Sequence, residues 1–252
     1  LTFFPWEHAA PGRAGTGDTS ETAYRIPKGS AEWWHRHLAE HGVETVREPE
    51  RFGETVLSLR DPDGMRLALI AADSAVDKPA WTTSAVPEEH AIRGFAGVTL
   101  MLGDTAPTAA VLTDVLGFSA DAQDGSTLRL RANGTSPGGV VDLRQVAGIG
   151  RAQMGRGSVH HVAFRAADDA AQSAMAERLY TEHGIATTEQ KDRCYFRSVY
   201  FREPGGVIFE IATDAPGFAV DEPEATLGTS LKLPAFLEPR RARIETALPA
   251  LG

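Results

Sequence analysis

Glu40-His41-Gly42-Val43-Glu44-Thr45 returns 142 residues later as Glu182-His183-Gly184-Ile185-Ala186-Thr187. At the same offset Arg60-Asp61-Pro62-Asp63-Gly64 returns as Arg202-Glu203-Pro204-Gly205-Gly206. Two separate matches at one offset identify an internal repeat, which decides the architecture before any single element does. Around each match the order of elements is the same. In the first copy a strand-like run at 21–26 precedes Pro27-Lys28-Gly29-Ser30. Ser30 is the expected N-cap of a helix over 31–41, and Gly42 its left-handed stop. Alternation over 54–59, the turn Asp61-Pro62-Asp63-Gly64 and the run 65–70 predict a hairpin. The last copy runs from a strand at 158–164, through a helix over 169–183, to a hairpin at 199–201 and 207–211 around Pro204-Gly205-Gly206.

A looser middle copy starts at 95–102, has a helix near 108–116 ended by Gly117, and finishes at Pro137-Gly138-Gly139-Val140-Val141-Asp142-Leu143. Before the first copy stands an orphan apolar run, Leu1-Thr2-Phe3-Phe4-Pro5-Trp6, expected to be the final strand of a fourth copy whose beginning is absent. The prediction is an α+β chain of tandem modules paired into two domains, the first module largely missing. Residues 1–72 form the N-terminal domain, 73–92 a linker, 93–214 a C-terminal metal-binding domain, and 215–252 a Pro-rich tail with a short helix near 240–248.

The chain has 252 residues, 42% hydrophobic and 23% charged, enough for one substantial core or two modest domains. With 25 Lys+Arg against 34 Asp+Glu the formal charge is −9, which repels nucleic-acid phosphates and anionic lipid. The single Cys194 excludes an internal disulfide, and no run reaches the roughly 18 apolar residues of a membrane span. A soluble, cytoplasmic setting without nucleic-acid or membrane partners is expected.

Comparing copies separates scaffold from chemistry. Glu210 falls opposite Ala68, flanked by Phe209 and Ile211 opposite Leu67 and Leu69, so a carboxylate stands mid-strand in one copy alone. A buried unpaired charge there would cost several kcal/mol, roughly, and needs a cation. His160-His161 on the first strand of the same copy are candidate partners, one of the two aiming at the site because strand residues alternate. One reading is two ligands of a 2-His-1-carboxylate metal site; the other is a Glu–Arg pair with ordinary strand histidines.

Three segments carry a resemblance. Gly157-Ser158-Val159-His160-His161-Val162-Ala163-Phe164, the run from Tyr195 to Gly206, and Phe209-Glu210-Ile211-Ala212-Thr213-Asp214 resemble the glyoxalase/vicinal oxygen chelate superfamily. Within it they are most similar to the hydroquinone-type ring-cleaving, extradiol-like dioxygenases, over essentially the whole chain. The resemblance implies β-α-β-β-β modules with curved mixed sheets. It implies Fe(II), with Mn(II) as the other candidate, held by His161 and Glu210; His160, Arg193 and Tyr200 would line the site. It implies a third ligand, a His upstream of Leu1; Ala96, where some relatives carry a His, cannot substitute. A small aromatic substrate and O2 follow as partners, and homo-oligomerisation is left open. A glyoxalase-like isomerase or lyase without O2 chemistry, and a ligand-sequestering protein of the same fold, are the rival functions.

His37-Leu38-Ala39-Glu40-His41 spells the order of inverted zinc peptidases, but the last copy has Leu179 in place of His37 while keeping Glu182-His183-Gly184. Helix packing explains Trp33-Trp34, and His8 and His90 read as solvated loop residues. Cys194 beside Arg193 reads as an inert filler.

Overall fold

A computed structural model describes residues 1–6, 8–73, 80, 85–134 and 139–249. The first copy comprises β1 (Asp18–Pro27), α1 (Ala31–Glu40), β2 (Thr45–Arg47), β3 (Thr55–Arg60) and β4 (Arg66–Ala72). The middle copy has β5 (Phe95–Leu102), α2 (Ala106–Asp114), β6 (Phe118–Asp124), β7 (Thr127–Ala132) and β8 (Val140–Gln145). The last has β9 (Val162–Ala166), α3 (Asp169–His183), β10 (Lys191–Asp192), β11 (Arg197–Arg202) and β12 (Ile208–Thr213), and the tail carries α4 (Arg241–Ala247). In each copy the first strand lies parallel to the last: β1 with β4, β5 with β8, β9 with β12. The intervening helix supplies the crossover that parallel neighbours require.

Local chemistry explains the shared boundaries. Asp168, in extended conformation, accepts the Ala171 amide at 2.8 Å and caps α3, which ends at Gly184 with φ +67°. At equivalent positions of the repeat, Asp61 and Glu203 brace the two hairpin turns in the same way. Asp61 Oδ1 accepts the amides of Asp63 and Met65 at 2.9 and 2.8 Å. Glu203 accepts those of Gly205 and Val207 at 2.8 and 2.7 Å, and it is also bonded by the Thr108 hydroxyl of α2. A carboxylate two residues before one amide and four before another satisfies both without distorting the strands.

Ladders and core divide the chain differently. The ladders join the first and middle copies in one eight-stranded sheet, β2-β3-β4-β1-β5-β8-β7-β6, through antiparallel pairing of β1 with β5. The last copy forms its own sheet, β10-β11-β12-β9. The largest apolar core instead joins the middle and last copies: Leu100, Leu112, Leu130 and Leu143 pack with Phe164, Leu179, Phe209 and Ile211. A smaller cluster seats α1 on its sheet through Ile26, Trp34, Leu57 and Leu69. The middle copy therefore shares its ladders with the first copy and its largest core with the last. Pairing across a linker depends on long-range edges that no local pattern encodes.

Other expectations shift. Leu1 to Trp6 is not a strand: no ladder partner exists for it among the described residues, and the Trp6 amide instead donates to the Phe4 carbonyl at 2.9 Å in a tight turn about Pro5. β9 begins only at Val162, so His160 and His161 lie in the loop entering it. Ser30 has helical φ/ψ and does not cap α1; its hydroxyl meets Glu89 O at 3.2 Å and His90 Nδ1 at 3.0 Å. His90 is not a solvated loop residue but stacks on Trp33, centroids 4.6 Å apart. The expected linker falls largely outside the described residues at 74–79 and 81–84, as does most of the Pro137-Gly138-Gly139 turn. Among the described residues no helix is long and apolar enough to cross a membrane.

Candidate metal and substrate site

Alternation along β12 turns Phe209 and Ile211 into the core and Glu210 to the opposite face. Tyr200 of β11 is its cross-strand partner on one side and Ala163 of β9 on the other. Glu210 is 3% exposed, and its neighbours are not arginines. Its Oε2 lies 2.7 Å from His161 Nε2, while Oε1 accepts the Tyr200 hydroxyl at 2.9 Å and the Ser198 hydroxyl. Burial pushes the Glu210 carboxyl up, but the hydrogen bonds from His161, Ser198 and Tyr200 outweigh it and hold the group below the ordinary glutamate value.

The remaining expected residues join the same chain of contacts. His160 Nδ1 lies 2.8 Å from His161 Nδ1. Burial lowers the His160 pKa, helped by positive charge at His161 and Arg202 and opposed by Glu210. Arg193 Nη2 donates to the Tyr200 oxygen at 3.4 Å, with the guanidinium 5.5 Å from the ring centroid. His160, His161, Arg193, Tyr200 and Glu210 are thus contiguous. Strand alternation does not separate the two histidines, because both precede the first β9 ladder pair, Val162 with Phe209.

Sequence reading missed Ser198. Its signal was present: it stands two residues before Tyr200, hence on the same face of β11, beside the strand that carries Glu210. Also missed were Phe4 and Trp6, whose rings lie 5.2 and 6.0 Å from that of His160.

The donor set suits a divalent cation. Imidazole nitrogen and carboxylate oxygen bind first-row divalent ions at about 2.0–2.2 Å, so two adjacent ligands lie roughly 3 Å apart. The 2.7 Å between His161 Nε2 and Glu210 Oε2 is close to that spacing. With Nε2 given to a metal, His161 carries its proton on Nδ1 and donates it to His160, which fixes the ring. Ser198 and Tyr200 occupy Oε1 and leave Oε2 directed at His161. Among the described residues no group of three or more His, Cys, Asp or Glu side chains is gathered to hold a metal ion. His37 is stacked on Trp33 at 4.4 Å, and His41 Nδ1 is hydrogen-bonded to the His37 carbonyl at 2.7 Å.

Residues 94–211 match the family model of the Glyoxalase/Bleomycin resistance protein/Dioxygenase superfamily. A Bacillus subtilis (strain 168) protein provisionally named ring-cleaving dioxygenase MhqO is 40% identical over 248 residues, 98% of this chain and 78% of the relative. The chlorohydroquinone/hydroquinone 1,2-dioxygenase of Sphingobium indicum is 32% identical over 244 residues, 94% of this chain and 75% of that one. This chain belongs to the glyoxalase/dioxygenase superfamily. Structural comparison agrees: a B. subtilis crystal structure provisionally titled a dioxygenase superposes with TM-score 0.89 at 40% identity, covering 99% of this chain and 79% of that one. Glyoxalase I of Zea mays shares the superfamily fold, with TM-score 0.59 at 16% identity over 84% of this chain and 71% of its own.

A second candidate surface lies on the eight-stranded sheet. A cavity there is lined by charged side chains that pair with one another. Arg129 makes a two-pronged bond to Asp142, both contacts 2.8 Å, and a third to Glu54 at 2.7 Å, while Arg51 pairs with Glu21 at 2.5 Å. Arg129 and Asp142 are 6% and 4% exposed.

Proposed function

We propose that the protein is a metal-dependent ring-cleaving dioxygenase acting on a hydroquinone-class phenol, with Fe(II) the favoured metal and Mn(II) the alternative. The observation that carries this reading is Glu210, a buried carboxylate whose Oε2 meets an imidazole nitrogen at 2.7 Å where a scaffold residue would meet an arginine. The names of the relatives support the oxygenase class and the aromatic substrate.

In this reading His161 Nε2 and Glu210 Oε2 are the protein's donors to the metal. When bound, the metal supplies Lewis acidity toward a phenol oxygen and a site for O2. His160 holds the His161 ring through its Nδ1 contact. The Tyr200 hydroxyl gives its single proton to Glu210 Oε1 and accepts an N–H from Arg193, so it orients the carboxylate, and the remaining N–H groups of Arg193 are the donors for negative charge that develops on a substrate oxygen. Arg193 is exposed enough to turn and bind that oxygen directly.

Oxygen uptake is the test. The full-length gene product, loaded anaerobically with Fe(II) and mixed with hydroquinone and O2, is expected to consume about one O2 per ring opened. His161→Ala and Glu210→Ala are each expected to lose the metal. No uptake together with turnover of a glyoxalase-type substrate would replace this reading by the isomerase. Near-wild-type metal content in either variant would remove these two residues from the site.

A further inference from the structure

We infer that Phe4 and Trp6 form an aromatic wall of the substrate site and grip the ring of the phenol. The inference rests on the dioxygenase reading above and names the residues that recognise its substrate. The turn about Pro5 sets both rings on one side of the chain, stacked with centroids 5.2 Å apart and 23° between planes. That side faces the histidine pair. Phe4 lies 5.2 Å from His160 and 6.5 Å from His161, and Trp6 presents an edge contact to His160 at 6.0 Å.

Neither ring is buried by this arrangement: Phe4 is 47% and Trp6 56% exposed. Two large aromatic faces are therefore held open to solvent within one ring's reach of the metal donors. The phenol is the occupant that the neighbouring chemistry selects. Its oxygen belongs beside His161 and Glu210, and its carbon ring must then extend from that point across the adjacent aromatic surface. An aromatic substrate gains stacking there that an aliphatic hydroxyketone of similar size does not, so the wall also acts in specificity.

Phe4→Ala and Trp6→Ala, with Trp6→Phe as the conservative control, test this in the full-length, Fe(II)-loaded protein. Dissociation constants for hydroquinone come from anaerobic equilibrium dialysis, and metal content from elemental analysis. The alanine variants are expected to keep their metal and bind hydroquinone roughly two- to ten-fold more weakly. KM should rise in parallel, with kcat within about two-fold of wild type, and Trp6→Phe should recover most of the binding. Hydroquinone should also quench a component of the tryptophan emission that is missing in Trp6→Phe. Unchanged dissociation constants in both alanine variants, or loss of metal from them, would overturn the wall while active wild-type enzyme left the dioxygenase reading in place. Conversely, hydroquinone binding that depends on Phe4 and Trp6 in a wild-type protein that consumes no O2 would keep the wall and sink that reading.

Discussion

Tyr200 stands directly across the β11–β12 ladder from Glu210 and bonds back to it, hydroxyl to carboxylate, at 2.9 Å. A cross-strand pair in which one member donates to the other's buried charge is fixed by the register of the sheet itself, so it needs no loop to hold it. Removing the hydroxyl should leave His161 and Ser198 on Glu210. Tyr200→Phe is therefore expected to retain metal, by elemental analysis, while kcat falls roughly 10–100-fold from loss of the bond that orients the Glu210 carboxylate.

The charged lattice on the eight-stranded sheet makes a different prediction. Arg129→Ala leaves Asp142 buried beside Glu54 without its counter-charge, an expected loss of about 3–5 kcal/mol in urea unfolding. Replacing both charges, Arg129→Met with Asp142→Leu, should restore most of that stability, since no buried ion is then left alone. Metal content should be unchanged in both.

Glu203 ties three elements. It is 2% exposed and holds two backbone amides of its own turn together with the Thr108 hydroxyl of α2. Glu203→Gln retains one acceptor but turns an amide toward a backbone donor, and is expected to cost about 1–3 kcal/mol. Thr108→Val should cost less. In a double-mutant cycle by chemical denaturation the two effects should fall short of additive, because they share one bond.

A fourth expectation concerns pH. The Ser230 hydroxyl at 2.9 Å, with the Gly228 amide, holds the Glu222 carboxyl below its ordinary value of 4.5. A carboxylate whose folded pKa is depressed stabilises the folded state above the unfolded value, and that contribution is lost as pH falls through the folded value. Hydrogen-exchange protection around 222–230 should hold above about pH 4.5 and decline below it. Glu222→Gln should show low protection with no such pH dependence.

Much of this was legible in the sequence, and the exceptions share a cause. The repeat located both hairpin turns, the bounds of α3 and those of β5, because capping residues, glycines and alternation act within a few positions. Glu210 stood out by comparison with Ala68, and the two strands flanking it followed from the same copy. The edge by which β1 pairs with β5 was not legible, since ladders between distant strands leave no local trace. The Phe4 and Trp6 contacts escaped for a related reason: apolar residues in 1–6 fit a strand pattern, and only three-dimensional proximity to His160 shows them beside a polar site. The strand expected over 158–164 begins four residues later, at Val162, so His160 and His161 stand in the loop that enters it, where alternation no longer applies.

Because the middle copy shares its sheet with one neighbour and its core with the other, it acts as the keystone of cooperativity. Opening β5 would strip β1 of its ladder partner, and losing Leu100, Leu112 and Leu143 would expose Phe209 and Ile211 behind Glu210. His161 and Glu210 at one sheet and the charged lattice on the other are then linked through the strands and core of the middle copy, which carry no chemistry of their own.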